Sequence, residues 1–238
     1  MKRRILYIVL TLVFLLININ LSAQKQKPKN ESWYDEKLIH FGFSLGFNAM
    51  DFNITPSQKY LEHDSLYPEV SKLNPGINIQ IVTDLRPANH MDIRFLPGVS
   101  FGQRTIRYYK NQVIYNDGQK LESSFLEFPL LLKLKGDRLN NVRPYVIGGI
   151  NYRYDLAAKK EFDPAKQVYV RTKKPDLYFE VGAGLDFYLP YFKLSVELKM
   201  SDGTRDILVK DYTSRYPEYT YAIEKMKSQI WILAFHFE

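Results

Sequence analysis

Leu177-Tyr178-Phe179-Glu180-Val181-Gly182-Ala183-Gly184-Leu185-Asp186-Phe187-Tyr188-Leu189 decides the fold class. Every odd position is apolar, while the even positions hold Tyr, Glu, Gly or Asp. A repeat of two is the signature of a β-strand with one greasy face and one polar or small face. The pattern returns at Ile39, Phe41, Phe43, Leu45 and Phe47 against His40, Gly42, Ser44, Gly46 and Asn48, and at Phe192, Leu194, Val196, Leu198 and Met200 against Lys193, Ser195, Glu197 and Lys199. These runs have the length of a transmembrane strand, about 9–11 residues. Weaker alternation covers Ile77–Ile81, Met91–Phe101, Leu126–Leu134, Val142–Tyr154 and Trp231–Phe237. The total is eight strands, an even number, as bacterial single-chain barrels require. The expected fold is all-β, an eight-stranded antiparallel transmembrane β-barrel over residues 39–238.

Length and composition agree with a single exported domain. Met1-Lys2-Arg3-Arg4, the apolar stretch Ile5–Ile17 and Ser22-Ala23 form the basic, apolar and small-residue parts of a secretory signal, with cleavage expected after Ala23. An uncleaved anchor is the competing reading, but the run is shorter than the ~18 residues that a spanning helix needs. Residues 24–38 are polar, contain Pro28, and read as a periplasmic tether without structure of its own. The chain has no cysteine, which excludes both a lipid-modified cysteine and a disulfide framework. Loss of residues 1–23 lowers the formal charge from +7 to +4, too little and too scattered for a nucleic-acid partner. Aromatics make up 15% of the chain, with no helix-length apolar run after the signal, and that combination fits a membrane barrel.

The linkers sort by length. Residues 49–73, 104–121, 155–176 and 201–228 read as long polar outer loops; 84–89, 136–141 and 189–191 read as short periplasmic turns. Alternation alone does not separate a soluble barrel from a membrane barrel. The signal, the sorted linkers and the aromatic clusters at strand ends (Tyr152 and Tyr154; Tyr188, Tyr191 and Phe192; Phe235 and Phe237) favour the outer membrane, with lipid as a partner. A last strand ending in Phe resembles the signal read by barrel-assembly machinery. Pro97, Pro129 and Pro144 remove ladder donors, so breaks or bulges are expected at Pro97 and Pro129, and Pro144 belongs near a strand start.

With the apolar faces outward, the inward faces carry His40, Asp92, Arg94, Glu127, Lys133, Arg143, Arg153, Glu180, Asp186, Lys193, Glu197 and Lys199. An eight-stranded barrel is just wide enough for side chains to fill. Opposite charges are therefore expected to pair and plug the lumen rather than form a pore. No enzyme is expected. Of His40, His63, His90 and His236 only His63 falls in an outer loop, beside Asp51, Glu62 and Asp64, and no nucleophile motif accompanies it. No catalytic, cofactor-binding or metal-binding residue is assigned, and no small-molecule substrate is expected.

The outer loops remain as contact candidates. Tyr212, Arg215, Tyr216, Tyr219 and Tyr221 interleave rings with charge, the residue types most enriched at protein interfaces. Lys159, Lys160, Lys166, Arg171, Lys173 and Lys174 make the third loop basic. Ordinary solvated loops with a few packing tyrosines explain both equally well.

Phe125-Leu126-Glu127-Phe128-Pro129-Leu130-Leu131-Leu132-Lys133, Arg143-Pro144-Tyr145-Val146-Ile147-Gly148-Gly149 and Tyr178–Asp186 resemble the PorT family of Bacteroidota outer-membrane proteins. The resemblance covers nearly all of the mature chain. Leu126–Lys133 and Gly182–Phe187 are shared widely among PorT-like barrels; the chain length, the form of the signal and Lys193–Gly203 resemble PorT itself. The resemblance implies a part in the type IX secretion system, which exports proteins with C-terminal sorting domains and is tied to gliding motility in some members. The partners implied are other secretion-system proteins, and no catalytic residue is carried over. The competing expectation is a small OmpX-like structural or adhesive barrel that binds through its outer loops.

Overall fold

The computed structural model describes residue 30 and residues 34–58, 66–110, 113–158, 170–210 and 217–238. Along the chain come a 3-10 turn (Tyr34–Glu36), β1 (Ile39–Pro56), β2 (Leu66–Leu73), β3 (Pro75–Ala88), β4 (Met91–Phe95), β5 (Gly98–Lys110), β6 (Val113–Lys135), β7 (Val142–Asp155), β8 (Pro175–Tyr188), β9 (Lys193–Gly203), a short helix α1 (Pro217–Tyr221) and β10 (Ile223–Phe237). The expected signal, residues 1–23, lies outside the described residues.

Each strand runs antiparallel to its neighbours, and β1 pairs with both β3 and β10, so the sheet closes on itself. β2 and β3 follow one another along one position of the ring, and β4 and β5 along the next: β3 pairs with β4 and β5, and both of these pair with β6. The ring has eight positions, as the alternation predicts.

The interruption between β4 and β5 falls at Leu96-Pro97, the expected break. Pro129 lies directly across from it, where its carbonyl accepts from Leu96 N at 3.1 Å. In a strand the N and C=O of one residue face the same side, so the donor missing from Pro129 faces the gap that Pro97 already opens. The β6–β7 register accordingly runs through Pro129↔Asn151 without a shift, which corrects the expectation of a separate bulge there. Pro144 lies at the start of β7, with its carbonyl directed to Gly136 N beyond the end of β6.

In the lower part of the barrel the faces are as read. Phe41, Phe43, Phe47, Ile79, Ile81, Leu130, Leu132, Val181 and Leu198 are exposed on the outside, and alternate residues such as Ser44, Gln80 and Leu131 point inward and are buried. Higher up the alternation continues but its sense reverses. On β1, Met50 and Phe52 turn inward while Asp51 and Asn53 turn out; on β5, Ile106 and Tyr108 turn inward; on β10, Met226 is buried while Lys225 is exposed. The reversal marks where lipid gives way to water around the wall. Below it the outside must be apolar, and above it the inside must be.

Residues 49–73 and 104–121 are therefore not the long loops their polarity suggests. β1 continues to Pro56, β2 begins at Leu66 and pairs with β5, and β5 and β6 pair from Lys110↔Val113 downward. β1 has 18 residues and β6 has 23, well over the about 9–11 that cross a bilayer, so the surplus forms a walled extension above it. Phe52, Leu66, Ile106, Tyr108, Leu121, Val170, Ile207, Leu208, Tyr219, Ala222, Ile223 and Met226 fill that extension as an apolar core. Residues 201–228 contribute to it through the end of β9, α1 and the start of β10. The connections at the other end are short, as expected: Asn89-His90, Gly136–Asn141 and Leu189–Phe192.

The reading of residues 24–38 as a tether without structure is corrected where they are described. The 3-10 turn folds back into the periplasmic mouth, and Tyr34 stacks on His40 with ring centroids 3.9 Å apart. An aromatic ring with a polar tip gains more in that mouth, over an imidazole and beside a carboxylate, than in water.

Candidate functional site

All twelve inward charged or histidine residues read from the alternation are buried, and six of them (Arg94, Glu127, Lys133, Arg153, Asp186 and Glu197) have no exposed surface at all. Water does not reach them, so the lumen is packed rather than channelled. A charge in such a place is tolerable only when it is paired and hydrogen-bonded, and the pairs are present.

The lower layer centres on Arg94. Its guanidinium grips Asp84 through two bonds of 2.8 and 2.7 Å and reaches Glu238 at 3.0 Å and Glu197 at 3.4 Å. Lys193 lies 2.9 Å from Glu238, Lys133 lies 2.9 Å from Asp186, and Lys135 bonds Asp92 at 2.5 Å. Above it, Arg153 joins Glu127 and Glu180 at 3.1 and 3.0 Å, and Lys199 adds a second cation to Glu180 at 3.1 Å. Asn151 donates to both Glu127 and Glu180, at 3.0 and 2.8 Å, and Asn78 donates to Glu127 at 2.9 Å. The apolar residues Val82, Leu96, Leu131, Tyr145 and Ile147 pack as one group in the lumen, and Met50, Phe125, Tyr178, Ile230, Ile232 and Ala234 as another. Arg104 is different in kind: it bonds the hydroxyls of Ser228 and Ser123 and lies over the Phe52 ring at 4.0 Å.

Several members of this network were not picked out from the sequence. Asp84, Arg104, Asp155 and Asp176 fell in stretches read as turns or loops, yet all are buried in the wall. Lys135 lies one step beyond the assigned run, and His236, buried 3.4 Å from Glu197, follows from parity with outward Trp231. Glu238 is the largest omission, since it meets Arg94, Lys193 and Tyr34.

The periplasmic mouth is closed from below. Tyr34 donates to Glu238 at 2.6 Å, meets Tyr188 edge-on, and has the Lys193 ammonium 4.4 Å from its ring centre. Burial first, and then the Glu238 carboxylate, push the Tyr34 phenol far above the usual tyrosine range, so it stays the donor. The Asn30 side-chain amide donates to Tyr188 O at 3.0 Å, and its backbone N–H donates to Asn141 Oδ1 at 3.2 Å.

Of the outer-loop candidates, Tyr212, Arg215 and Tyr216 lie outside the described residues. Tyr219 belongs to the upper core: it meets Tyr108 edge-on with centroids 4.8 Å apart, and its carbonyl accepts from the Tyr108 hydroxyl at 3.0 Å. It packs rather than offering a surface, whereas Tyr221 is exposed. His63, Glu62 and Asp64 also lie outside the described residues, as do Lys159, Lys160 and Lys166; Lys173 bonds the Asp206 carbonyl at 2.9 Å. A cavity of about 30 Å³ between Gln119–Glu122, Ala157, Ala158 and Val170–Thr172 has room for two or three waters at about 10–15 Å³ each. The Gln119 amide bonds both backbone groups of Val170 beside it, at 2.8 and 2.7 Å.

Three solved structures are similar in fold. OprG from Pseudomonas aeruginosa is 12% identical with a TM-score of 0.46, over 84% of this chain and 92% of that one. Ail of Yersinia pestis is 14% identical with a TM-score of 0.38, over 83% and 96%. AlkL, determined by solid-state NMR in lipid bilayers, is 14% identical with a TM-score of 0.40, over 93% and 96%. No curated protein matches the sequence. Residues 22–209 match the family described as outer membrane protein beta-barrel domain, which is most of the chain. With its closed ring, lipid-facing apolar wall and ion-paired lumen, this chain belongs to that outer membrane β-barrel family and resides in the outer membrane.

Proposed function

We propose that this barrel is a non-enzymatic component of the type IX protein secretion system that works by holding other proteins rather than by conducting a substrate. The observation that carries the second half is the packed lumen: six charged side chains with no exposed surface leave no aqueous path through the described barrel. A wall that cannot conduct can still anchor, and its two ends face the two compartments that an export machine must connect. The first half rests on the likeness of Phe125–Lys133, Arg143–Gly149 and Tyr178–Asp186 to the PorT family. On this reading the partners are other secretion proteins, the cargo carries C-terminal sorting domains, and gliding motility depends on the barrel in cells that glide. The reading needs no catalytic residue, cofactor or metal. Tyr212, Arg215, Tyr216 and Tyr221 are the outer contacts to test first.

The test is a clean deletion with a complemented strain beside it, measuring sorting-domain cargo in the medium and in the periplasm. Cargo held in the periplasm and released by complementation supports the reading. Unchanged secretion contradicts it and leaves a structural or adhesive barrel of the cell surface.

A further inference from the structure

Three periplasmic positions of the barrel send an arginine to one point. Arg86 comes from the end of β3, Arg138 from the β6–β7 turn and Arg143 from the start of β7. Each is held by the barrel itself. Arg86 donates to Asn89 Oδ1 at 3.0 Å and Arg138 to Asn140 O at 3.0 Å; Arg143 donates to Gly136 O and to Asn89 O, both at 2.8 Å. Their remaining N–H groups converge on the carboxylate of Asp35, with Arg143 at 3.0 Å, Arg138 at 3.3 Å and Arg86 at 3.9 Å. Asp35 does not belong to the barrel wall. It sits on the 3-10 turn whose Tyr34 covers His40, Lys193 and Glu238, and Arg138 also takes the carbonyl of Asn30.

Two features separate this cluster from the ion pairs of the lumen. The arginine side chains are 5–10% exposed, but the Asp35 side chain is 26% exposed, so one edge of the bound carboxylate is open to the periplasm. The orientation of the guanidiniums is set by barrel carbonyls and by Asn89, so the clamp persists when Asp35 leaves. Guanidinium groups bind carboxylates and phosphates through charge-assisted hydrogen bonds, and the group these three hold is a carboxylate. We propose that the Tyr34–Glu36 turn is a latch that shuts the periplasmic mouth through Asp35, and that the Arg86–Arg138–Arg143 clamp is a binding site for an acidic peptide segment, which opens the mouth by taking the place of Asp35. With the latch out, the Arg94–Glu238–Lys193 layer faces the periplasm directly. The proposal does not depend on which machinery the barrel serves.

The chain has no cysteine, so a nitroxide on Glu36→Cys reports the latch alone, and Glu36 is exposed. In the full chain in lipid nanodiscs, the line shape is expected to be restricted. Asp35→Asn, which lies outside the strands, should replace the restricted component with a mobile one, and Asp35→Glu should restore it. Hexa-aspartate peptide should release the latch of the parent chain, while hexa-lysine or sodium chloride at equal ionic strength should not. An unchanged line shape in Asp35→Asn overturns the latch. Hexa-aspartate acting no better than salt overturns the binding site.

Discussion

Arg153 shows how much a single residue carries. It is fully buried, joins β6 to β8 through Glu127 and Glu180, and places its guanidinium 4.5 Å from the Tyr178 ring centre. Replacing it by Met leaves two carboxylates without their shared cation, and breaking a buried pair from one side costs about 3–5 kcal/mol. Urea unfolding of Arg153→Met in lipid or detergent should show that loss, and adding Glu127→Gln should recover part of it. Such residues were readable because the strand parity that puts Val181 in lipid puts Glu180 in the lumen. Their partners were less readable. Asp84 lies beyond the apolar runs that delimit strands, and no local pattern says that Arg94, ten positions along the chain, reaches back to it. Glu238 was noticed only as a neighbour of Phe237, although its carboxylate ties Arg94, Lys193 and Tyr34 together.

Among the elements, β1 is the most informative, since one strand passes through two solvents. From Ile39 to Phe47 its outward side chains are apolar, and from Asp51 onward they are polar, while Met50 packs with Phe125 and Tyr178 inside the barrel and Phe52 enters the upper core. A search for one apolar face of constant parity stops at the reversal and reads the remainder as loop, which is why β2 and the upper halves of β1, β5 and β6 escaped it. Single cysteines in lipid vesicles give a direct check: an aqueous maleimide should label Asn53→Cys readily and Phe47→Cys hardly at all. The two regions also fail differently. Leu198→Arg, within the lipid-facing run of β9, should cost about 2–4 kcal/mol. Phe52→Ala removes a ring from the upper core and from beneath Arg104, and should cost about 3–5 kcal/mol on unfolding. The turns were legible because Gly136–Asn141 and Leu189–Phe192 are short and rich in breakers; Asn140, at φ 57°, occupies the left-handed region that asparagine tolerates.

The whole molecule is a closed wall around alternating charged and apolar fillings, shut below by the Tyr34 turn and above by the Phe52–Tyr108–Tyr219 core. The eight positions of its ring and the pairing of its lumen charges follow from period-two alternation and from the width of an eight-stranded ring, and its membrane from the signal, the sorted linkers and the aromatic clusters. The latch does not. Nothing in the composition of residues 24–38 says that Tyr34 and Asp35 find partners at the ends of β1, β7 and β10. Contact rather than conduction is the central claim at this scale. The most direct measurement is the conductance of the purified, folded chain in a planar lipid bilayer, with folding verified in the same sample. A packed lumen gives a flat baseline at moderate voltage and high salt, in the parent and in Asp35→Asn alike, because the upper core remains. Reproducible ohmic steps from the parent chain would mean that water and ions pass where Arg94, Glu127 and Arg153 have no exposed surface, and would contradict it.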